Sequence, residues 1–181
     1  MKHLWPVADR VEYSQRSAIK PTRETPIAIS LGAVDWAREN ATIVHPLRGR
    51  IPFAPYPYQA EFLRQAYAPR RIILKARQTG FSQAFALEAL YKAIKIPEST
   101  ILLVSRSQEL ATNLLRYCYL TYNGLRDAPG LIKANEGEMG FDNGSRIKSI
   151  PANRSTGRGF SATDAYLDEF ERGQGLTDPK V

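Results

Sequence analysis

The chain has 181 residues, of which 43% are hydrophobic and 24% are charged. This composition is enough for one hydrophobic core, and the length excludes two complete catalytic domains. The net charge is +7, and all of it comes from residues 1–100, because residues 101–181 contain ten basic and ten acidic residues. A basic chain favours a polyanionic partner, although the same charge also fits a surface that is merely well solvated.

Cysteine and histidine content limits the possible chemistry. The single cysteine, Cys118, cannot form an internal disulfide, and the isolated histidines His3 and His45 lack metal-ligand spacing. The apolar runs are far shorter than the ~18 residues of a membrane span. The first residues also lack the continuous apolar stretch of a secretory signal. We therefore expect a cytoplasmic protein with no membrane segment and no metal bound by His or Cys.

Residues 1–69 contain eight of the twelve prolines. This density breaks the stretch into short pieces and argues against a regular sheet there. We interpret residues 1–50 as an irregular arm that contains one short helix over residues 30–40. Residues 51–181 are interpreted as the main domain. The arm carries no motif that indicates a function.

From residue 70 onwards, predicted strands and helices alternate. The first unit is a short buried strand over 71–76 followed by a helix over 82–95. Then come a strand over 100–105, a helix from 107 to 121, a hairpin of 138–141 with 145–150 around Asp142-Asn143-Gly144, and a strand over 163–170. This order predicts an α/β fold with a mostly parallel sheet, whose ligands bind at the carboxyl ends of its strands.

The junction between the first strand and helix, residues 75–82, is compared with the phosphate-binding pattern G-x-x-x-x-G-K-[ST]. Gly80 allows close approach of the backbone to phosphate, and the Ser82 hydroxyl can bind Mg²⁺. Phe81 occupies the usual lysine position, but Lys75 stands at the first position of the loop. Because such a loop curls around its anion, Lys75 could reach the phosphates from the other side. In the alternative interpretation, Gly80 is an ordinary turn glycine and Lys75 a surface lysine.

Two acids, Asp168 and Glu169, follow the last predicted strand. Phosphoryl transfer from ATP requires one carboxylate near Mg²⁺ and a group that orients or deprotonates water. Asp168 suits the first role and Glu169 the second. Adjacent acids at a strand end are also common in solvated turns, but their occurrence together with the loop favours a nucleotide site.

A third candidate element is the segment Pro55-Tyr56-Pro57-Tyr58-Gln59. A glutamine amide can pair with the N6 and N7 edge of adenine, and a tyrosine ring can stack on the base. We therefore assign Tyr58 and Gln59 to adenine binding. The alternative is a proline-rich linker that leads into a helix over residues 59–67.

Six segments, taken in chain order, resemble the ATPase domain of the large terminase subunit of tailed bacteriophages. They are PYPYQ, KARQTGFS, LLVSRSQELA, NGSRIKSIPAN, TGRG and AYLDEFE. The resemblance covers about residues 51–172. It implies an additional-strand, RecA-like P-loop NTPase fold that binds ATP and Mg²⁺. In that family the deviant loop commonly follows R-Q-x-G, which is matched here by Arg77, Gln78 and Gly80, and some members carry the lysine at the position of Lys75. The loop residues Gln78, Thr79, Gly80 and Phe81 are accordingly expected to contact nucleotide.

The resemblance also implies roles for arginines. Arg77 would contact the γ-phosphate in cis, and Arg158 is a candidate finger that acts on the ATP of a neighbouring subunit, since guanidinium groups spread transition-state charge. Arg158 could equally be an ordinary surface arginine. Arg106 could contact DNA or only cap nearby carbonyls.

The function implied by the resemblance is a DNA-packaging motor that couples ATP hydrolysis to translocation of double-stranded viral DNA. The implied setting is a homo-oligomeric ring in the host cytoplasm, with the small terminase subunit and the portal protein as partners. Family members continue past the acid pair, so the ATPase domain is expected to be truncated here, and the 181-residue chain to be weakly active or inactive. The alternatives are a truncated, non-catalytic terminase remnant and a helicase-like P-loop ATPase.

Overall fold

The structure is a computed structural model, and it describes residues 32–45, 47–153, 156–157 and 159–169. Its main feature is a five-stranded sheet with the strand order β4-β5-β6-β3-β7. The strands are β3 (Thr100–Ser105), β4 (Leu131–Ala134), β5 (Glu138–Phe141), β6 (Arg146–Pro151) and β7 (Asp164–Asp168). β3 pairs in parallel with β6 and β7, whereas β4 with β5 and β5 with β6 are antiparallel. The α/β class is confirmed, but the sheet is mixed rather than mostly parallel.

The described residues form four helices beside the sheets: α1 (Ala33–Asn40), α2 (Pro57–Arg64), α3 (Phe81–Lys95) and α4 (Gln108–Tyr122). α3 is buried on nearly every side, because it lies between the sheet, α1, α2 and α4. α4 begins where the Ser107 hydroxyl accepts a hydrogen bond from the Leu110 amide. The predicted helices over 30–40, 82–95 and 107–121 are confirmed, with small shifts at their ends.

The region before residue 70 is more regular than its prolines predict. Strands β1 (Thr42–His45) and β2 (Gly49–Pro52) form an antiparallel hairpin. Pro52 stands at the last position of β2, where the ladder tolerates a missing N–H. The expectation of no regular sheet is therefore wrong for residues 42–52. Trp36 of α1 lies 5.5 Å from Tyr91 of α3 between ring centroids, so these residues belong to the main core.

The hairpin around residues 142–144 is confirmed as β5 and β6. Gly144 has a positive φ of 82°, which glycine adopts without a steric penalty. The predicted strands over 100–105 and 163–170 are also confirmed, as β3 and β7, the latter ending at Asp168.

The predicted strand over residues 71–76 is wrong. The segment is extended and alternates in burial, with Arg71, Ile73 and Lys75 partly buried and Ile72 and Leu74 fully exposed. No backbone hydrogen bond joins it to another strand within the part of the chain that the structure describes. A strand requires a hydrogen-bonded neighbour about 4.8 Å away, and no described strand pairs with this segment. The apolar run was thus a misleading signal for a buried strand, because only alternate side chains of the segment are partly buried.

Side chains hold the start of this segment. Glu88 of α3 is fully buried, and one of its carboxylate oxygens accepts hydrogen bonds from Arg71 and from the Tyr166 hydroxyl (2.7 Å). Lys92 lies 3.2 Å from the same oxygen and 2.5 Å from a carboxylate oxygen of Asp164. We call these five residues the Glu88 cluster. It ties the segment, α3 and β7 together by charge rather than by backbone pairing.

No helix in the described ranges is long and apolar enough to cross a membrane.

The Glu88 cluster leads to a prediction on stability. Substitution Glu88→Gln removes the buried negative charge but keeps the shape, leaving Arg71 and Lys92 with less compensation. We expect the free energy of unfolding in urea to fall by about 3 kcal/mol, as for a broken buried ion pair. The matched control is Glu109→Gln in the first turn of α4, where the change should be less than about 0.5 kcal/mol. Equal losses in the two variants would contradict the role of the cluster.

Candidate functional site

The 75–82 loop has the backbone of an anion-binding turn. Gln78 and Gly80 have positive φ values of 60° and 71°, and α3 begins directly after Gly80. A helix start of this kind presents unpaired N–H groups and the positive end of the helix dipole. Glycine suits position 80 because of its positive φ and also because a Cβ there would lie 2.6 Å from Nε2 of Gln59, which would have to shift.

Three predicted site residues meet in space. The Lys75 Nζ atom lies 2.8 Å from Oδ1 of Asp168, and the Ser82 hydroxyl lies 2.5 Å from Oδ2 of the same carboxylate. Asp168 is only 7% exposed, and the Lys75 side chain is 23% exposed. Lys75 is therefore not a free surface lysine. The cationic group, the hydroxyl and the acid form one cluster, although Lys75 and Asp168 are 93 positions apart.

Neighbouring contacts hold the acid end of this cluster. The Ser105 hydroxyl at the end of β3 donates to the backbone carbonyl of Asp168 at 3.1 Å. The next residue, Glu169, has a positive φ of 53° and a side chain that is 42% exposed. Its carboxylate lies 3.7 Å from Nε of Arg106, which is also partly exposed. Arg106 thus contacts the second acid, and it makes no side-chain bond to a carbonyl of any described residue.

A groove of about 1100 Å³ opens along this cluster. One wall is the segment from residue 68 through the 75–82 loop, and the other is β7 with Glu169. Arg106 lies at its rim among the lining residues. This volume is at the upper end of the range for pockets that bind small molecules and cofactors. The groove is lined by predicted site residues from both motifs, among them Lys75, Arg77, Ser82, Asp168 and Glu169.

The structure places Gln59 and Tyr58 behind the loop. The Gln59 Nε2 atom donates to the carbonyls of Thr79 and Gly80, each at 3.1 Å, and the Tyr58 hydroxyl donates to the Thr79 carbonyl at 3.0 Å. Neither side chain lines the groove. The predicted helix over 59–67 is observed as α2, which begins two residues earlier, at Pro57, and ends three residues earlier, at Arg64. Adenine binding by this pair remains a prediction.

The remaining predicted residues differ in what the structure shows of them. Arg77 and Gln78 are exposed, and the Thr79 hydroxyl donates to the Ala76 carbonyl within the loop at 3.2 Å. Phe81 is buried against aromatic rings of α2 and α3, so it is a packing residue in this structure. Arg158 lies outside the described residues.

The Glu88 cluster was not predicted from the sequence. Burial and the neighbouring Glu88 carboxylate raise the pKa of Tyr166 well above its usual value, so its hydroxyl stays a hydrogen-bond donor. A signal was present, because Glu88 and Lys92 are charged residues four positions apart in the apolar middle of the helix, residues 84–94. Such a pair inside a buried helix indicates charged partners elsewhere in the chain.

The oxygen atoms of this site fit Mg²⁺. Mg²⁺ binds to proteins through one or two side-chain oxygens and takes its other ligands from phosphate and water. The Asp168 carboxylate and the Ser82 hydroxyl are two such oxygens, already in contact with each other. Among the described residues, no group of three His, Cys, Asp or Glu side chains is arranged to hold a metal.

No protein-family model matches the chain, and no curated protein matches it either. The terminase resemblance therefore rests on the motifs.

The packing of Gly80 leads to a second prediction. Gly80→Ala forces a left-handed φ on alanine and also displaces the Gln59 amide. Gly49→Ala is a matched control, since Gly49 has a φ of 68° but no atom within 4 Å of a Cβ. We expect Gly49→Ala to lower the free energy of unfolding by about 1 to 2 kcal/mol.

Gly80→Ala should cost about 1 kcal/mol more than the control, because it also disrupts the Gln59 hydrogen bonds. Urea unfolding of both variants measures the difference. If the two losses are the same, Gln59 is not held firmly against the loop.

Proposed function

We propose that the chain binds Mg²⁺–ATP in the groove between the 75–82 loop and β7. The observation that carries the proposal is the meeting of Lys75, Ser82 and Asp168 in one cluster at the end of β7. Two motifs that the sequence suggested separately are joined there by direct contacts. A magnesium-bound triphosphate requires a cationic group for its phosphates and oxygen ligands for Mg²⁺ near a helix start, and this cluster contains both.

The roles follow from position and charge. Lys75 and Arg77 bind the phosphates, together with N–H groups at the start of α3. Ser82 and Asp168 hold Mg²⁺, which neutralises phosphate charge when it is bound. Glu169 is exposed at the end of β7, where it can orient a water molecule and accept its proton. Its ion pair with Arg106 keeps the carboxylate at the rim of the groove.

We further propose that this is the nucleotide-binding part of a viral DNA-packaging motor of the large-terminase type, with a P-loop NTPase fold. The motif order and the five-stranded sheet with β3 between β6 and β7 support this proposal. Double-stranded DNA is the proposed partner, bound through its phosphates in a sequence-independent and salt-sensitive manner. Arg158 is the proposed finger acting on the ATP of the next subunit in a ring.

A pair of variants tests the nucleotide proposal. Lys75→Met removes the charge that contacts the phosphates but keeps an unbranched side chain. We expect its affinity for Mg²⁺–ATP, measured by isothermal titration calorimetry, to fall about tenfold to a hundredfold, the worth of a charge-assisted hydrogen bond. Phe81→Leu changes the residue at the usual lysine position but keeps it apolar. Its affinity should stay within about twofold of the unaltered chain, because the Phe81 side chain packs against rings of α2 and α3 and is given no role in binding phosphate.

Binding is the appropriate readout because it does not depend on a neighbouring subunit. Equal weakening in both variants would contradict the assignment of Lys75. Unchanged affinity in Lys75→Met would contradict it as well.

A further inference from the structure

The hydrogen-bonding groups of the Gln59 amide are already in use. The side chain is 3% exposed, its Nε2 donates to two loop carbonyls, and its Oε1 accepts from the Tyr56 backbone N–H at 3.0 Å. The orientation of the amide is fixed by its partners, since carbonyls require the N–H side and a backbone N–H requires the oxygen. Pairing with a base edge needs both a donor and an acceptor. Gln59 would have to release the loop to provide them.

Tyr58 is engaged in the same way. Its hydroxyl donates to the Thr79 carbonyl, and its ring packs against those of Tyr56 and Phe81, each at 5.5 Å between centroids. The Thr79 carbonyl therefore accepts hydrogen bonds from two side chains in the first turn of α2. Neither residue is among those that line the groove.

These contacts determine where the loop N–H groups point. In a planar trans peptide the carbonyl and the following N–H point in opposite directions. When Gln59 and Tyr58 bind the carbonyls of Thr79 and Gly80, the N–H groups of Gly80 and Phe81 are directed away from α2. Successive N–H groups held in this way form a concave site for an anion.

We propose that Gln59 and Tyr58 are positioning residues that fix the loop peptides from behind, so that the site selects the triphosphate of its ligand and not the base. The substrate class is then nucleoside triphosphates in general, bound through their phosphate chain. This inference rests on the proposed function, because it concerns how the same groove binds its ligand. It differs from the adenine role that the motif resemblance implies for these two residues.

The experiment compares three probes by isothermal titration calorimetry in the presence of Mg²⁺: ATP, GTP and inorganic tripolyphosphate. Tyr58→Phe removes only the hydroxyl, and Gln59→Met removes the amide at nearly constant size. Tyr117→Phe and Gln65→Met are matched controls on the exposed surfaces of α4 and the end of α2. We expect Tyr58→Phe to weaken all three probes by the same factor, about fivefold, and Gln59→Met to weaken all three by about tenfold or more.

The ratio of ATP to GTP affinity should be close to one in the unaltered chain and unchanged in every variant. A loss of affinity for ATP alone, with GTP and tripolyphosphate unaffected, would show that the pair recognises adenine; it would overturn this inference and leave the proposed function intact. Unchanged affinity for all three probes in Tyr58→Phe also overturns it, and that side chain is 43% exposed, so its loss does not threaten folding. Failure of the unaltered chain to bind any probe would instead contradict the proposed function, and the inference with it.

Discussion

The segment over residues 71–76 has no strand neighbour among the described residues, so its position depends on its side chains. Ile73 packs against the core, and charged groups make contacts at the two ends of the segment. At one end Arg71 binds the buried Glu88 carboxylate, which also binds Tyr166 of β7. At the other end Lys75 binds Asp168, two residues further along the same strand. Two charge contacts thus set the width of the groove in place of a backbone ladder. Because the segment leads directly into the 75–82 loop, they also place the loop opposite the acids.

The two contacts differ in how deeply they are buried, and therefore in whether a ligand can replace them. In the Glu88 cluster, Glu88 and Lys92 are almost fully buried, whereas Arg71, Asp164 and Tyr166 line the same groove. The buried carboxylate makes this contact a structural tie. The Lys75–Asp168 pair lines a large groove. A phosphate group can replace Asp168 as the partner of Lys75, and Mg²⁺ can replace Lys75 as the partner of Asp168. When the ligand binds, Lys75 would contact a phosphate and Asp168 would contact the cation, in place of each other. The groove is therefore lined by an ion pair that its proposed ligand is suited to replace.

Local signals in the sequence predicted local structure well. The apolar run over 100–105 is β3, and Ser107 begins α4 as its N-cap. The phosphate-loop and acid motifs also predicted that Lys75, Ser82 and Asp168 belong to one site, although the strand expected to lead into the loop is absent. The sequence could not show that residues 71–76 lack a ladder partner, since that depends on which strands lie nearby. It also could not place Arg71 and Tyr166 on Glu88, because burial of a charge depends on partners 17 and 78 positions away.

The most direct test of the central claim is the dependence of ATP binding on Mg²⁺. Calorimetric titration of ATP into the unaltered chain, with Mg²⁺ and then with the chelator EDTA, measures it. If the triphosphate replaces the Lys75–Asp168 pair, the cation must compensate the released carboxylate, and ATP should bind at least about tenfold more tightly with Mg²⁺. Equal affinity under both conditions, or tighter binding in EDTA, would contradict the claim that this groove is built around a magnesium-bound triphosphate.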